Sequence, residues 1–153
     1  MRQWIDKLRQ EKTLQSEEFR QLLTKCDAET LRHINKQAQE VSLQHFGNKI
    51  YIRGLIEVSK YCRNNCFYCG IRKGNPHIKR YRLSMESILD CCKEGYALGF
   101  RTFVLQGGED PGLTDDRIEA IVVAIREQYP DCAITLSLGE KPYETYQRFF
   151  QAG

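Results

Sequence analysis

The order of strand and helix patterns in the later part of this 153-residue chain restricts its fold more than any other feature. After Asn48, three short segments rich in β-branched and aromatic residues alternate with three amphipathic helical patterns. The strand patterns cover residues 50–58, 101–106 and 133–138. Because parallel strands are joined by long crossovers, usually helices, this order predicts βαβ units and a parallel α/β sheet.

Cap residues locate the helices that follow these strands. Ser84 is expected to begin the first helix, which continues to Gly99, and Thr114 is expected to begin the second. A third helix is predicted after Pro142. Three strands are too few to close a barrel, so the pattern predicts either a small open sheet or the front part of a longer protein.

Residues 1–47 show helical periodicity alone. We predict three helices there, the second capped by Ser16 and the third preceded by Asp27 and ending near Gly47. The expected organisation is therefore a helical N-terminal cap over residues 1–47 and an incomplete α/β barrel over residues 48–153. The cap carries no catalytic signal.

Composition excludes several classes of protein. The longest apolar run spans six residues, 120–125, far short of the roughly 20 that a membrane helix needs. The first residues are charged where a secretory signal is apolar, so we expect a cytoplasmic protein without a membrane partner. Cytoplasmic thiols stay reduced, and the seven cysteines therefore indicate metal or redox chemistry rather than disulfides.

A CxxxCxxC motif follows the first predicted strand, at Cys62, Cys66 and Cys69. Three thiolates on one short loop are suitable ligands for an iron-sulfur cluster or for zinc. A structural zinc site needs a fourth ligand, either His77 or a distant cysteine. Three local thiolates on a cubane cluster leave one iron open to a substrate or cofactor, so the spacing favours a 4Fe-4S cluster. We interpret the distant cysteines as buried apolar side chains; they are Cys91, Cys92 and Cys132.

The charge around this motif is of one sign. Residues 58–85 contain seven of the 23 basic residues and no acidic residue, whereas the rest of the chain holds 16 basic and 20 acidic residues. Positive charge of this kind suits an anionic thiolate cluster. Basic residues interleaved with aromatic ones are also typical of nucleic-acid surfaces, but the acidic remainder provides no extended basic face. We therefore expect no nucleic-acid partner.

Polar residues also follow the other two predicted strands. Glycines permit close approach of a ligand, and carboxylates accept hydrogen bonds from an ammonium group, although each short segment by itself is also typical of an ordinary turn or helix start. The carboxyl ends of parallel strands meet at one edge of the sheet, so we expect these residues to form one site with the cysteines. They are Gly107, Gly108, Glu109, Asp110, Ser137 and Glu140.

The cysteine motif, with aromatic Tyr68 before the last cysteine, resembles the cluster motif of the radical S-adenosylmethionine (SAM) superfamily. The second signature of that superfamily, Gly-Gly-Glu, is matched by Gly107, Gly108 and Glu109 at the end of the next strand. The resemblance implies a TIM-type (β/α) barrel, of which this chain would form the helical cap and the first three βα units. It also implies a 4Fe-4S cluster and S-adenosyl-L-methionine as cofactors.

Within the superfamily, residues 56–59, 62–72, 79–82, 107–111 and 137–140 resemble the maturase family of iron-only hydrogenase. Methylornithine synthases and biotin synthases are the related families, and an enzyme similar to either is the alternative within the superfamily. The implied reaction cleaves SAM reductively to a 5'-deoxyadenosyl radical that acts on a small organic or organometallic substrate. An electron donor such as ferredoxin or flavodoxin and other hydrogenase maturation proteins are the implied partners. A non-catalytic iron-sulfur or zinc module is the alternative from a different class.

The resemblance further implies a role for each site residue. The three cysteines would hold three irons, and the fourth iron would bind the amino and carboxylate groups of SAM. Tyr68 would lie against the adenine, and Gly108, Glu109 and Asp110 would receive the methionine ammonium. Ser137 would face SAM or substrate, and Gly107 and Glu140 are counted among the cofactor-binding residues. Since such barrels need about 200 residues or more, we expect a fragment that binds the cluster weakly and shows no turnover by itself.

Overall fold

The computed structural model describes residues 1–153 and contains six helices and three strands. The chain divides into two compact units, Met1–Ile50 and Tyr51–Gly153. None of the helices combines the length and the apolar character that crossing a membrane requires.

The first unit consists of helices α1 (Arg2–Glu11), α2 (Ser16–Thr24) and α3 (Ala28–Phe46). Its small core is formed by Ile5, Leu14 and Leu22. As predicted, Asp27 caps α3, with its carboxylate accepting a hydrogen bond from the Thr30 amide at 2.7 Å. The predicted start of α2 is wrong by one residue. Gln15 takes the N-cap position because its own amide is satisfied by the Glu18 carboxylate at 2.8 Å.

The second unit alternates strands and helices as the sequence predicts. Its elements, in chain order, are β1 (Gly54–Glu57), α4 (Met85–Ala97), β2 (Thr102–Gln106), α5 (Asp115–Gln128), β3 (Ala133–Ser137) and α6 (Tyr143–Ala152). The strands form one parallel sheet in the order β1-β2-β3. The predicted caps of α4 and α5 are confirmed, since the Ser84 and Thr114 hydroxyls accept hydrogen bonds from the Ser87 and Arg117 amides.

Helices cover one face of this sheet. Ile56, Phe103 and Leu105 point from the strands into a core with the apolar faces of α4, α5 and α6. Side chains on the opposite face are open to solvent, and Leu55 is 57% exposed. The register places Glu57 beside Gln106 and Gln106 beside Ser137 at the carboxyl ends of the strands.

The first strand is shorter than its sequence pattern. Residues 50–58 were expected to be extended, but β1 covers Gly54–Glu57 only, and Ile50 is 90% exposed. Gly54 pairs with Phe103, and β2 begins at Thr102, so residues before Arg53 have no strand opposite them. Without a neighbouring strand, the backbone of those residues forms no sheet hydrogen bonds, and Ile50 buries no apolar surface.

Candidate functional site

The cysteines lie on a long connection between β1 and α4, whose residues 60–80 we call the cysteine loop. The backbone after β1 turns back on itself, because the Lys60 amide donates to the Tyr81 carbonyl at 3.0 Å and the Leu83 amide donates to the Val58 carbonyl at 2.9 Å. The Val58 amide in turn donates to the Gln106 carbonyl at 2.8 Å. Both ends of the loop are thereby fixed at the carboxyl edge of the sheet.

All three motif cysteines are free thiols on this loop. Cys66 is exposed, and Cys62 and Cys69 are half-buried. The Cys69 amide donates to the Cys66 carbonyl at 3.0 Å, so these two residues belong to one turn. No group of three or more His, Cys, Asp or Glu side chains converges in a metal-binding arrangement.

The chemistry of the donor set nevertheless fits an iron-sulfur cluster. Three accessible thiols on a loop without an acidic residue are soft ligands in a positive environment. A cavity of about 300 Å³ lies between Cys69, Glu57 and Gln106, at the open face of the sheet. The loop therefore has suitable ligands and adjacent space for a small molecule.

The Gly107-Gly108-Glu109 turn after β2 lies directly against the start of the cysteine loop. A Cβ atom on Gly108 would be 2.7 Å from the Cβ of Cys62 and 2.8 Å from the Tyr61 carbonyl oxygen. The Arg63 amide donates to the Glu109 carbonyl at 2.9 Å. Gly108 thus allows the turn to pack closely against Cys62, because any larger residue would overlap with it.

The Glu109 carboxylate connects the ends of β2 and β3. It accepts a hydrogen bond from the Glu140 amide at 2.7 Å and one from the Arg63 guanidinium at 3.3 Å. Gly139, at φ +92°, leaves the room for this carboxylate, since a Cβ there would be 2.7 Å from its Cδ. Two predicted site residues therefore meet, although Glu140 contributes its amide rather than its side chain.

Asp110 is placed differently from the expectation that it receives an ammonium group. Its side chain is fully buried, and it accepts hydrogen bonds from Arg82, Ser59 and the Gly112 amide. Burial opposes ionisation of this carboxyl, but those donors outweigh it and lower its pKa to about 2. We interpret Asp110 as an internal anchor, because its oxygens are already occupied by protein donors.

The other predicted residues lie around this centre. Tyr68 is 94% exposed and makes no aromatic or cation-π contact. Gly107 packs against Leu138, and its amide donates to the carbonyl of exposed Ser137 at 3.0 Å. The structure thus joins the two strand-end turns through this backbone hydrogen bond and through the Glu109 carboxylate, and Tyr68 takes no part in these contacts.

Sequence reasoning overlooked the residues that support the site. Ser59, Arg80 and Arg82 form the hydrogen bonds that connect the cysteine loop to itself and to Asp110. The excess of basic residues in and around the loop was the sequence feature that could have indicated the two arginines. Among the distant cysteines, Cys92 and Cys132 are buried as predicted, and burial raises the pKa of Cys92 to about 12. The same prediction is wrong for Cys91, which is exposed and borders an open cavity beside Gly54 and Leu55 of β1.

Comparison with known proteins agrees with this geometry. Residues 56–153 match the Radical SAM superfamily, and the chain belongs to this family of enzymes, which use a 4Fe-4S cluster and S-adenosylmethionine. The predicted α/β fold of the radical SAM type is confirmed by solved relatives. The chain superimposes on the crystal structure of methylornithine synthase (PylB) with a TM-score of 0.82 at 30% identity, covering 97% of this chain and 44% of that one.

Two curated relatives are similar to most of the chain. The chain is 42% identical over 118 residues to the [FeFe] hydrogenase maturase subunit HydE of Thermotoga maritima, covering 77% of this chain and 33% of that protein. It is 34% identical over 125 residues to 3-methylornithine synthase of Methanosarcina barkeri, covering 80% and 35%. The chain therefore spans about a third of the length of these relatives.

Proposed function

We propose that the chain forms the N-terminal part of a HydE-like radical SAM enzyme that serves maturation of the iron-only hydrogenase. The observation that carries this proposal is the contact between Cys62 and Gly108, which joins the cysteine loop to the Gly-Gly-Glu turn at one edge of a parallel sheet. The greater identity to HydE than to methylornithine synthase, 42% against 34%, supports the particular family.

Under this proposal, Cys62, Cys66 and Cys69 hold the cluster. When bound and reduced, the cluster supplies the electron that cleaves SAM to methionine and a 5'-deoxyadenosyl radical. The Glu109 carboxylate, 17% exposed, is the acceptor available at the strand ends for the methionine ammonium. Ser137 borders the open face of the sheet, and Tyr68 is proposed to lie beside the adenine.

The proposed function also requires a substrate, an electron donor and protein partners. The substrate is a small organic or organometallic molecule, and ferredoxin or flavodoxin supplies the electron. Other hydrogenase maturation proteins are the proposed partners in the cytoplasm. In this proposal the 153 residues form no deoxyadenosine from SAM when tested alone, and detection of that product would overturn this part.

Anaerobic reconstitution with iron and sulfide tests the cluster. We expect about four irons per chain and a brown chromophore that SAM perturbs. Cys66→Ala should abolish the chromophore, whereas Cys132→Ala should keep it, because Cys132 is buried in the core. Zinc uptake without sulfide would instead support a non-catalytic metal module.

Methylornithine synthase is the second candidate, because its crystal structure matches 97% of the chain. Two chimeras separate the candidates. Residues 1–153 replace the corresponding third of Thermotoga maritima HydE in one chimera and of Methanosarcina barkeri methylornithine synthase in the other. We expect the first to support active hydrogenase. Methylornithine formation by the second, with no function of the first, would favour the alternative.

A further inference from the structure

The Arg80 side chain joins the backbone segments that precede and follow the cysteine motif. One terminal nitrogen of its guanidinium, Nη1, donates to the Lys60 carbonyl at 2.7 Å and to the Ile71 carbonyl at 3.0 Å. The other, Nη2, donates to the Arg72 carbonyl at 2.7 Å, with longer contacts to the carbonyls of Lys73 and Asn75 at 3.3 and 3.4 Å. One side chain thereby binds five backbone oxygens.

These oxygens lie on both sides of the cysteine motif. Lys60 precedes Cys62 by two residues, and Ile71 follows Cys69 by two residues. A single planar group that binds both carbonyls fixes the distance between the backbone before the motif and the backbone after it. Arg80 itself comes immediately before the segment whose backbone pairs with residues 58–60, so its own position is set by the sheet edge.

The charge of Arg80 is directed at the loop as well. No carboxylate lies within ion-pair distance of its guanidinium, in contrast to Arg82, which pairs with Asp110. The positive charge is therefore not neutralised by a protein acid, and it lies on the same loop as the three cysteines, whose sulfur atoms would carry negative charge when they hold a cluster. A lysine could not replace this group, because an ammonium has three donors and lacks the planar fork.

The inner part of the loop is supported in a similar way. The Asn65 side-chain oxygen accepts from the Gly74 amide at 2.9 Å and from Arg72 Nη1 at 3.1 Å. The Asn75 side chain donates to the Gly70 carbonyl at 2.8 Å. These bonds order the segment that Arg80 closes, and none of them involves a thiol.

We propose that Arg80 is a positioning residue of the cluster site, which fixes the cysteine loop in a closed form before the cluster binds and stabilises the bound cluster through its charge. The inference rests on the proposed function, since it assigns Arg80 to the same cluster. A loop closed in advance loses less conformational freedom when three thiolates are gathered on one group.

Hydrogen exchange of the metal-free chain tests the first part. In Arg80→Lys and Arg80→Gln, amides of residues 69–75 should exchange about 10-fold faster or more than in the wild-type chain, while those of β2 stay protected. Arg126→Lys is the matched control, because Arg126 also donates to several carbonyls, those of Pro130, Cys132 and Gly153, outside the loop. Unchanged exchange at residues 69–75 in both Arg80 variants would overturn the proposal.

Reconstitution tests the second part, with protected β2 amides showing that each variant is folded. Arg80→Lys should lose iron to a chelator roughly 10- to 100-fold faster than the wild-type chain, and addition of SAM should change its EPR spectrum less. Arg126→Lys should behave as the wild-type chain does. If the wild-type chain takes up no cluster, the proposed function fails. If it does and Arg80→Lys retains iron and responds to SAM equally well, this inference alone fails.

Discussion

The guanidinium of Arg82 binds the buried carboxylate of Asp110 through two hydrogen bonds, from Nε at 2.6 Å and from Nη2 at 2.8 Å. The same carboxylate accepts from the Ser59 hydroxyl at 2.5 Å, and the Ser59 oxygen accepts from the Tyr61 amide at 3.1 Å. Arg82 also lies over the Tyr61 ring, 4.3 Å from its centroid. These contacts join the end of β1, the cysteine loop and the turn after β2 into one network.

Because Asp110 is ionised in the folded chain, we expect the free energy of unfolding to decrease at acid pH. Burial raises the pKa of Asp110, but hydrogen bonds from Arg82 and Ser59 outweigh it, and the pKa falls from 3.8 to about 2. Because the pKa is lower in the folded than in the unfolded chain, this stabilisation is present above about pH 4 and is lost as the pH falls to about 2. We expect the free energy of unfolding to fall by about 2 kcal/mol through this group.

Denaturant unfolding at about pH 5 and about pH 2 measures this dependence. Other carboxylates titrate in the same range, so Asp110→Asn, which cannot ionise at this position, is measured in parallel. The wild-type chain should lose about 2 kcal/mol more stability than the variant. An equal loss in both proteins would show that Asp110 contributes no acid sensitivity.

Replacing Gly108 should damage the cluster site more than the fold. In Gly108→Ala the new methyl group lies 2.7 Å from the Cβ of Cys62, so either the loop or the turn must move. We expect a loss of about 1–3 kcal/mol in the free energy of unfolding and reduced iron uptake in reconstitution. Gly70→Ala is the control, since Gly70 is next to Cys69 but has no atom within 4 Å of the added carbon. Equal iron uptake by both variants would count against the close contact at Gly108.

Replacing Gly139 tests whether SAM binding depends on the present position of the Glu109 carboxylate. Gly139→Ala places a Cβ 2.7 Å from the Glu109 carboxyl carbon at φ +92°, whereas Gly99→Ala meets no neighbour at φ +94°. Both variants should lose about 1 kcal/mol to backbone strain. Only Gly139→Ala should also weaken SAM binding to the reconstituted chain, measured by titration of the chromophore. A similar SAM affinity in the two variants would disprove this dependence on Glu109.

The cysteines should divide into two reactivity classes in the metal-free chain. Cys92 and Cys132 are buried, and burial raises the pKa of both thiols, that of Cys92 to about 12. We expect these two to resist alkylation at about pH 8, because only the thiolate reacts, while the other five are modified. Mass spectrometry of the alkylated chain with and without denaturant measures this. Rapid modification of Cys92 in the folded chain would contradict its placement in the core.

Local patterns in the sequence determined the helices and strands and the chemistry of the three cysteine ligands. The alternation of strand and helix patterns predicts the parallel sheet, because side-chain periodicity and caps such as Ser84 and Thr114 act within a few residues. The spacing of Cys62, Cys66 and Cys69 likewise indicates the cluster, since ligand type and spacing are properties of the chain itself.

Tertiary structure alone decided which polar residues act together. Asp110 and Glu109 are neighbours in the sequence, yet Asp110 is fully buried against Arg82, and Glu109 binds the Glu140 amide on the next strand end. Such partners lie 28 and 31 residues apart, and their meeting depends on how the sheet edge brings separate loops together. The one-sided charge of the loop draws attention to Arg80, but its partners come from the tertiary structure alone, since they are backbone oxygens, which carry no residue-specific signal.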